Sequence, residues 1–140
     1  MTITTTGTNH LRLTVRDLAV SRHFYDTLFG WDVALYVPED ADEATREQLW
    51  FLFGGIIYQT PGGLFGLRPV APGTDEFSED RVGLDHLSLS VASREDLEAA
   101  IEVLDFLGAV HGAVKDVGSL SILEFRDPDG IALELAAPKG

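Results

Sequence analysis

The 140-residue chain contains no cysteine, which excludes a disulfide framework, a thiolate metal site and a cysteine nucleophile. Any metal would have to sit on histidine, carboxylate or other oxygen and nitrogen donors. Positive charge is also scarce: Lys and Arg number 10 against 23 Asp and Glu, and the lysines among them are Lys115 and Lys139 alone. A formal net charge of −13 creates a field that repels phosphate backbones and anionic membranes, so neither nucleic acid nor a membrane surface is an expected partner. No apolar run approaches the roughly 20 residues that a membrane span requires, and the opening "MTITTTGTNH" lacks a basic segment followed by an apolar core. A soluble, cytoplasmic protein is the expectation. With 45% hydrophobic residues, the chain has apolar material for one compact domain over 1–140 and too little length for two large ones.

What is present is a repeat. "NHLRLTV" (9–15) returns as "DHLSLSV" (85–91), with histidine, two leucines and valine in the same places. Both stretches alternate apolar and polar residues, the mark of a half-buried strand. Leu11, Leu13 and Val15 face one layer and His10, Arg12 and Thr14 the other; Leu87, Leu89 and Val91 are likewise opposed to His86, Ser88 and Ser90. The similarity continues downstream. "RDLAVSRHFYDTLFGW" predicts an amphipathic helix with Asp17 as N-cap, Val20, Phe24 and Leu28 on its apolar face, and Gly30 as a stop. "SREDLEAAIEVLDFLGA" predicts a second, opened by a Ser93–Asp96 capping box, carrying Leu97, Ile101 and Leu104, and closed by Gly108.

Three strand-like segments follow each helix: 31–37, 49–58 and 63–69 in the first half, then 109–117, 120–126 and 131–137 in the second, the last two joined by the turn "DPDG". Each half therefore reads β-α-β-β-β, giving an α+β chain with module one at about 8–69, an acidic linker at about 70–83 and module two at about 84–137. "PEDADEATRE" (38–47) reads as a second acidic surface excursion.

Alternation in "IALELAA" puts Ile131, Leu133 and Leu135 on the helix-covered side and Ala132, Glu134 and Ala136 on the face that carries the histidines. Small neighbours leave room around the Glu134 carboxylate, as a binding cavity requires. Aligning the closing strands of the two halves sets Gly66 against Glu134, so the first half supplies no ligand there. The expected metal ligands are His10, His86 and Glu134. Two histidines and one carboxylate on one face, with positions left open, suit Fe(II) or Mn(II) first, with Zn, Ni or Co as further candidates. His23 and His111 have no repeat partner and read as non-catalytic.

The paired modules, the "NHL" and "DHL" strands and the ending "FRDPDGIALEL" resemble the vicinal oxygen chelate superfamily, which includes glyoxalases, extradiol dioxygenases, fosfomycin-resistance enzymes, methylmalonyl-CoA epimerase and bleomycin resistance proteins. The resemblance implies two β-α-β-β-β modules forming a half-open mixed-sheet cup, with His10, His86 and Glu134 around a metal that admits a substrate bearing adjacent oxygen atoms. It also implies a homodimer. Glyoxalases and epimerases are similar but carry a fourth ligand where this chain has Gly66, so the three-ligand pattern looks more like the dioxygenase and fosfomycin branches. Extradiol enzymes commonly place a tyrosine where this chain has Glu124.

By strand parity Glu124 faces the cavity, where a carboxylate beside a Lewis acid could abstract a proton from carbon, as isomerases and lyases do. A structural ion pair of Glu124 with Arg126 or Arg12 is the alternative. Tyr36, Trp50 and Tyr58 would either contact an apolar substrate or pack in the core, and Gln59 is a candidate for the vacant fourth position. The expectation is thus a metal-dependent enzyme, a dioxygenase-type oxidoreductase ahead of a lyase or isomerase. The alternative is a metal-free antibiotic-binding resistance protein whose acidic surface suits cationic drugs.

Overall fold

A computed structural model describes residues 1–140. Its elements in chain order are β1 (His10–Thr14), α1 (Leu18–Phe29), β2 (Asp32–Tyr36), α2 (Glu43–Gln48), a 3-10 turn (Trp50–Leu52), β3 (Ile56–Thr60), β4 (Gly63–Arg68), β5 (Leu87–Ser90), α3 (Arg94–Phe106), β6 (Lys115–Val117), β7 (Leu120–Arg126) and β8 (Ala132–Pro138). The strands form two four-stranded mixed sheets with the same order, β1-β4-β3-β2 and β5-β8-β7-β6. In each, the first strand runs parallel to the last and the remaining pairs are antiparallel. The α+β reading and the repeat are therefore the architecture observed. The chain divides into two compact units, Met1–Ala19 with Gly30–Gly73, and Val20–Phe29 with Thr74–Gly140.

In the first unit Leu13, Val15, Leu52, Ile56, Tyr58, Phe65 and Leu67 are buried. Trp31 lies against Tyr58 and Phe65 with ring centroids 6.1 and 5.2 Å apart. The span 49–58 is not one strand. Its first half turns through the 3-10 segment and reverses at Phe53, whose backbone is left-handed (φ 50°, ψ 38°), so that only Ile56–Thr60 joins the sheet. Trp50 accordingly stands exposed on the turn and Tyr58 is buried in the core. The acidic stretch 38–47 is not wholly a loop: Asp42 caps α2 by accepting from the Thr45 amide, and Arg46 turns back to the carbonyls of Ala41 and Glu39.

The second unit carries most of α1. Its inward face is not Val20, which is half exposed, but Ser21, Phe24 and Tyr25. Phe24 meets Phe125 of β7, the Tyr25 hydroxyl donates to Asp127 (2.7 Å), and the Ser21 hydroxyl donates to Asp129 (3.4 Å). The turn "DPDG" is thus a buried anchor for a helix about a hundred residues away. Residues 109–117 form less strand than expected: only Lys115–Val117 pairs regularly, while His111 makes a single bridge to Phe125.

Helix α3 starts as expected, with Ser93 and Asp96 capping each other's backbone amides, and buries Leu97, Ala100 and Leu104. The inward position between the leucines is Ala100; Ile101 is only half-buried. Ser93→Ala is expected to cost about 1 kcal/mol, because one helix-start amide loses its acceptor. Urea unfolding reads this directly, and a midpoint unchanged from the native protein would remove the capping box from the account.

Candidate functional site

In the second unit, register determines which polar side chains share a face. Ser88, Glu134 and Glu124 stand in one cross-strand row, and Arg126 pairs with Ala132 in the next. His86 immediately precedes β5, so its side chain falls on the same face as Ser88. Leu133 and Leu135 are buried on the other side, as alternation requires. These groups open into a cavity of about 340 Å³ lined by His86, Glu124, Arg126, Ala132 and Glu134, with Asp85, Glu79 and His111 at its walls. That volume is in the range for small-molecule sites.

His86 Nδ1 lies 2.6 Å from Asp85 Oδ1. A carboxylate can only accept, so Nδ1 carries the proton and, in the neutral ring, Nε2 keeps its lone pair. The Asp85 hydrogen bond raises the His86 pKa; burial opposes the rise, and the fields of Glu134, Asp85 and Glu124 add to it. In the first unit, His10 Nδ1 lies 2.7 Å from Asn9 Oδ1, which leaves Nε2 free in the same way. The residue before each repeated histidine is therefore part of the pattern: "NH" and "DH" each supply a short acceptor that sets the ring. Glu134 accepts from Ser88 through Oε1 (2.7 Å) and presents Oε2.

Glu124 is ion-paired, though not with either arginine considered from sequence. Its partner is Lys115, Nζ to Oε2 at 2.9 Å. Both side chains are more than half exposed, so the pair contributes little to stability. Arg126 is instead held by both oxygens of Glu79, at 2.6 and 3.1 Å, and also donates to the Gly130 carbonyl. That hydrogen bonding draws the Glu79 carboxyl down to about 2. His111 has Nδ1 at 2.6 Å from the Gly112 carbonyl and Nε2 at 2.6 Å from Asp105. Two acceptors favour the doubly protonated ring, in which neither nitrogen keeps a lone pair for a metal. Its pKa is raised, first by the Gly112 carbonyl and then by Asp105. His23 is exposed on α1.

The registers of the two units match. Gly66 stands opposite Arg12 as Glu134 stands opposite Ser88, which is the alignment expected from the closing strands. His10, Leu64 and Gln59 form one row of the first sheet, so Gln59 shares the His10 face; its amide donates to the Thr60 carbonyl. Tyr36 is half-buried at the end of β2. Of the expected ligands, His86 and Glu134 come together in the second unit's cavity and His10 belongs to β1 of the first unit. No three His, Asp or Glu side chains stand together as a metal-holding group. Sequence reasoning missed the roles of Asn9, Asp85, Ser88 and Lys115, which orient or pair the predicted groups.

The sequence matches the family described as Glyoxalase/Bleomycin resistance protein/Dioxygenase superfamily over residues 7–135. Among solved structures, the chain is 33% identical to a glyoxylase/bleomycin resistance protein/dioxygenase domain from Frankia sp. EAN1pec, over 96% of this chain and 99% of that one, with a TM-score of 0.76. The genomically encoded fosfomycin resistance protein FosX from Listeria monocytogenes shares the fold at 17% identity, covering 96% and 94% of the two chains with a TM-score of 0.70. A FosX variant solved with Mn(II) and 1S,2S-dihydroxypropylphosphonic acid is 16% identical, covering 98% and 92%, with a TM-score of 0.69. No curated protein matches the chain.

Proposed function

The chain belongs to the Glyoxalase/Bleomycin resistance protein/Dioxygenase superfamily, and from that membership we propose that it is a metal-dependent enzyme acting on a small molecule with adjacent oxygen atoms, of dioxygenase type. The observation that carries the reading is the state of the donors. His10 and His86 each have Nδ1 engaged by the preceding residue and Nε2 available, and Glu134 keeps a free oxygen. That is the donor set, two imidazoles and one carboxylate, that suits Fe(II) or Mn(II) with open positions for substrate. When bound, such a metal supplies a Lewis acid and, as iron, a centre at which O2 chemistry is accessible.

The chain's own residues do the rest. Asp85 and Asn9 orient the rings, Ser88 holds Glu134, and the small side chain of Ala132 lines the cavity beside them. Exposed Val33 and Leu35 on β2 and Val117 on β6 lie on edge strands, which supports pairing of two copies as a homodimer.

A second reading rests on Glu124, which lines the same cavity directly across from Glu134. Lys115 engages Oε2 and leaves Oε1 to take a proton from carbon beside a carbonyl, the step of an isomerase or lyase. The two readings part on one set of measurements. Untagged protein purified anaerobically is expected to carry about one Fe or Mn per chain, and His10→Ala and Glu134→Ala are expected to lose it. Glu124→Gln retains metal under either reading; it abolishes turnover only if Glu124 is the base. Oxygen uptake with catechol-like substrates supports the dioxygenase class. A wild-type chain that binds no divalent metal overturns both, and directs screening to cationic antibiotics as ligands.

A further inference from the structure

In a chain with more than twice as many acidic as basic residues, arginines are usually compensated. Arg126 has Glu79, Arg94 has Asp116 and Glu98, and Arg22 has Asp26. Arg12 and Arg68 have each other. They stand on neighbouring strands one row apart, since Arg12 pairs with Gly66 and Thr14 with Arg68, and both face the side that carries His10. The field of Arg68, together with burial as the larger cause, lowers the pKa of Arg12. Neither guanidinium has a carboxylate partner. Arg12 Nη2 donates to the Phe51 carbonyl (2.6 Å), while its Nε is buried without an acceptor.

The surroundings are built to keep the two cations there. The Arg12 stem crosses Gly66, where a Cβ would come within 3.0 Å of its Cγ, so glycine is what allows the arginine to lie across the sheet. Both guanidiniums flank the Phe53 ring, at 5.9 Å for Arg12 and 4.3 Å for Arg68. Phe53 is the one non-glycine residue with positive φ, and beside it stands the exposed ring of Trp50, 6.1 Å away edge to face. Like charges held together and a buried donor left unsatisfied each cost free energy that an anion nearby would offset. The repeat sharpens the contrast. The corresponding positions of the second unit hold Ser88, Glu134 and Ala136, so the first unit has exchanged a carboxylate site for a cationic one.

We propose that Arg12 and Arg68 bind the carboxylate of a small aromatic acid, with its ring against Phe53 and Trp50. Arg12 and Arg68, both half-buried, supply the charge and the planar donors, and the aromatic turn a flat apolar wall. His10 lies on the same face of β1, roughly 6.6 Å along the strand from Arg12 at two residues' rise. The site itself consists of first-unit residues only and does not depend on the metal reading.

The test uses the full chain after chelator treatment, titrated with benzoate and with benzyl alcohol as the neutral analogue, followed by calorimetry and by tryptophan fluorescence. Benzoate is expected to saturate and to weaken with added salt. Arg68→Gln is expected to weaken benzoate binding roughly ten- to hundredfold, the loss of a charge-assisted contact, and to leave benzyl alcohol unaffected. Arg12→Lys, which keeps the charge but loses the planar donor set, is expected to weaken benzoate by a smaller factor. Three outcomes overturn the proposal: no saturation by benzoate up to ~50 mM, equal binding of benzoate and benzyl alcohol, or benzoate binding unchanged in Arg68→Gln. Because metal is removed beforehand, failure of the metal reading leaves this result standing, and failure here leaves the metal reading untouched.

Discussion

Gly55→Ala is expected to destabilise the protein by about 4 kcal/mol, enough to leave a large unfolded fraction at ambient temperature. The reason is backbone against backbone. A Cβ on Gly55 would lie 2.0 Å from the Leu67 carbonyl oxygen and 2.9 Å from that of Leu52, and neither atom belongs to a side chain that can turn away. The Gly55 amide donates to Leu52 (2.8 Å) and thereby closes the 3-10 turn, while the next residue, Ile56, pairs with Leu67 at the start of the β3–β4 ladder. Room for a methyl could come only from opening that ladder, which carries the fully buried Ile56, Tyr58 and Leu67. Gly54→Ala is the control. Gly54 has φ +78° and nothing within 4 Å of a built Cβ, so the substitution there carries only the left-handed backbone penalty, roughly 1 to 2 kcal/mol. Urea unfolding of the two variants should separate them by more than 2 kcal/mol, about the difference between these costs. A Gly55→Ala chain within 1 kcal/mol of wild type, a margin ordinary for harmless substitutions, would mean that the close approach at Leu67 is not maintained in solution.

The same turn marks the limit of what local sequence could reveal. Parity was legible wherever apolar and polar residues alternate cleanly, which is why β1, β5 and β8 carry His10, Ser88 and Glu134 on the faces expected of them. "LWFLFGGIIY" has no such alternation, and an apolar run reads alike as strand, turn or helix. Only the Gly54–Gly55 pair hinted that the chain reverses there. Helix α1 was misread for a different reason. Its buried face is completed by Ser21 and Tyr25, polar residues that can be buried only because Asp127 and Asp129, remote in sequence, accept their hydroxyls. Periodicity of apolar residues has no access to that pairing. The partner of Glu124 escaped similarly: Lys115 lies on β6, whose pairing with β7 sets it against Ile122, one row from the glutamate. By contrast, the acceptors that hold the histidines were visible all along, as the Asn and Asp that open the two repeated strands.

The Asp127 carboxyl makes stability depend on pH in a direction opposite to that of most acidic residues. It is nearly buried, and burial pushes its pKa up to about 6, against the lowering effect of the Tyr25 hydroxyl and the Ile131 and Asp129 amides. The folded chain therefore holds this proton more tightly than the unfolded chain does. Its contribution is fully present below the ordinary carboxylate range and is lost as pH rises through about 6. Linkage puts that loss at about 3 kcal/mol between pH ~4 and pH ~7. Asp127→Asn removes the titration. The amide oxygen can still accept from the Ile131 and Asp129 N–H groups, which both use Oδ1. The Tyr25 hydroxyl, now facing an NH2 group, must rotate to accept.

The stability of wild type relative to the variant should thus fall by about 3 kcal/mol over that window when each is unfolded in urea at several pH values. Groups common to both proteins cancel in the difference. Glu79, drawn down to about 2, loses its contribution only as the solution is acidified through that lower range, and His86 and His111, both raised, lose theirs as pH rises through their elevated pKa values. Parallel stability curves for wild type and variant would show that Asp127 is hydrated and ionised in the folded chain. The outcome bears on the functional face as well, because the Asp127 hydrogen bonds to Asp129 and Ile131 set the entry of β8 and hence the parity that turns Glu134 toward the cavity.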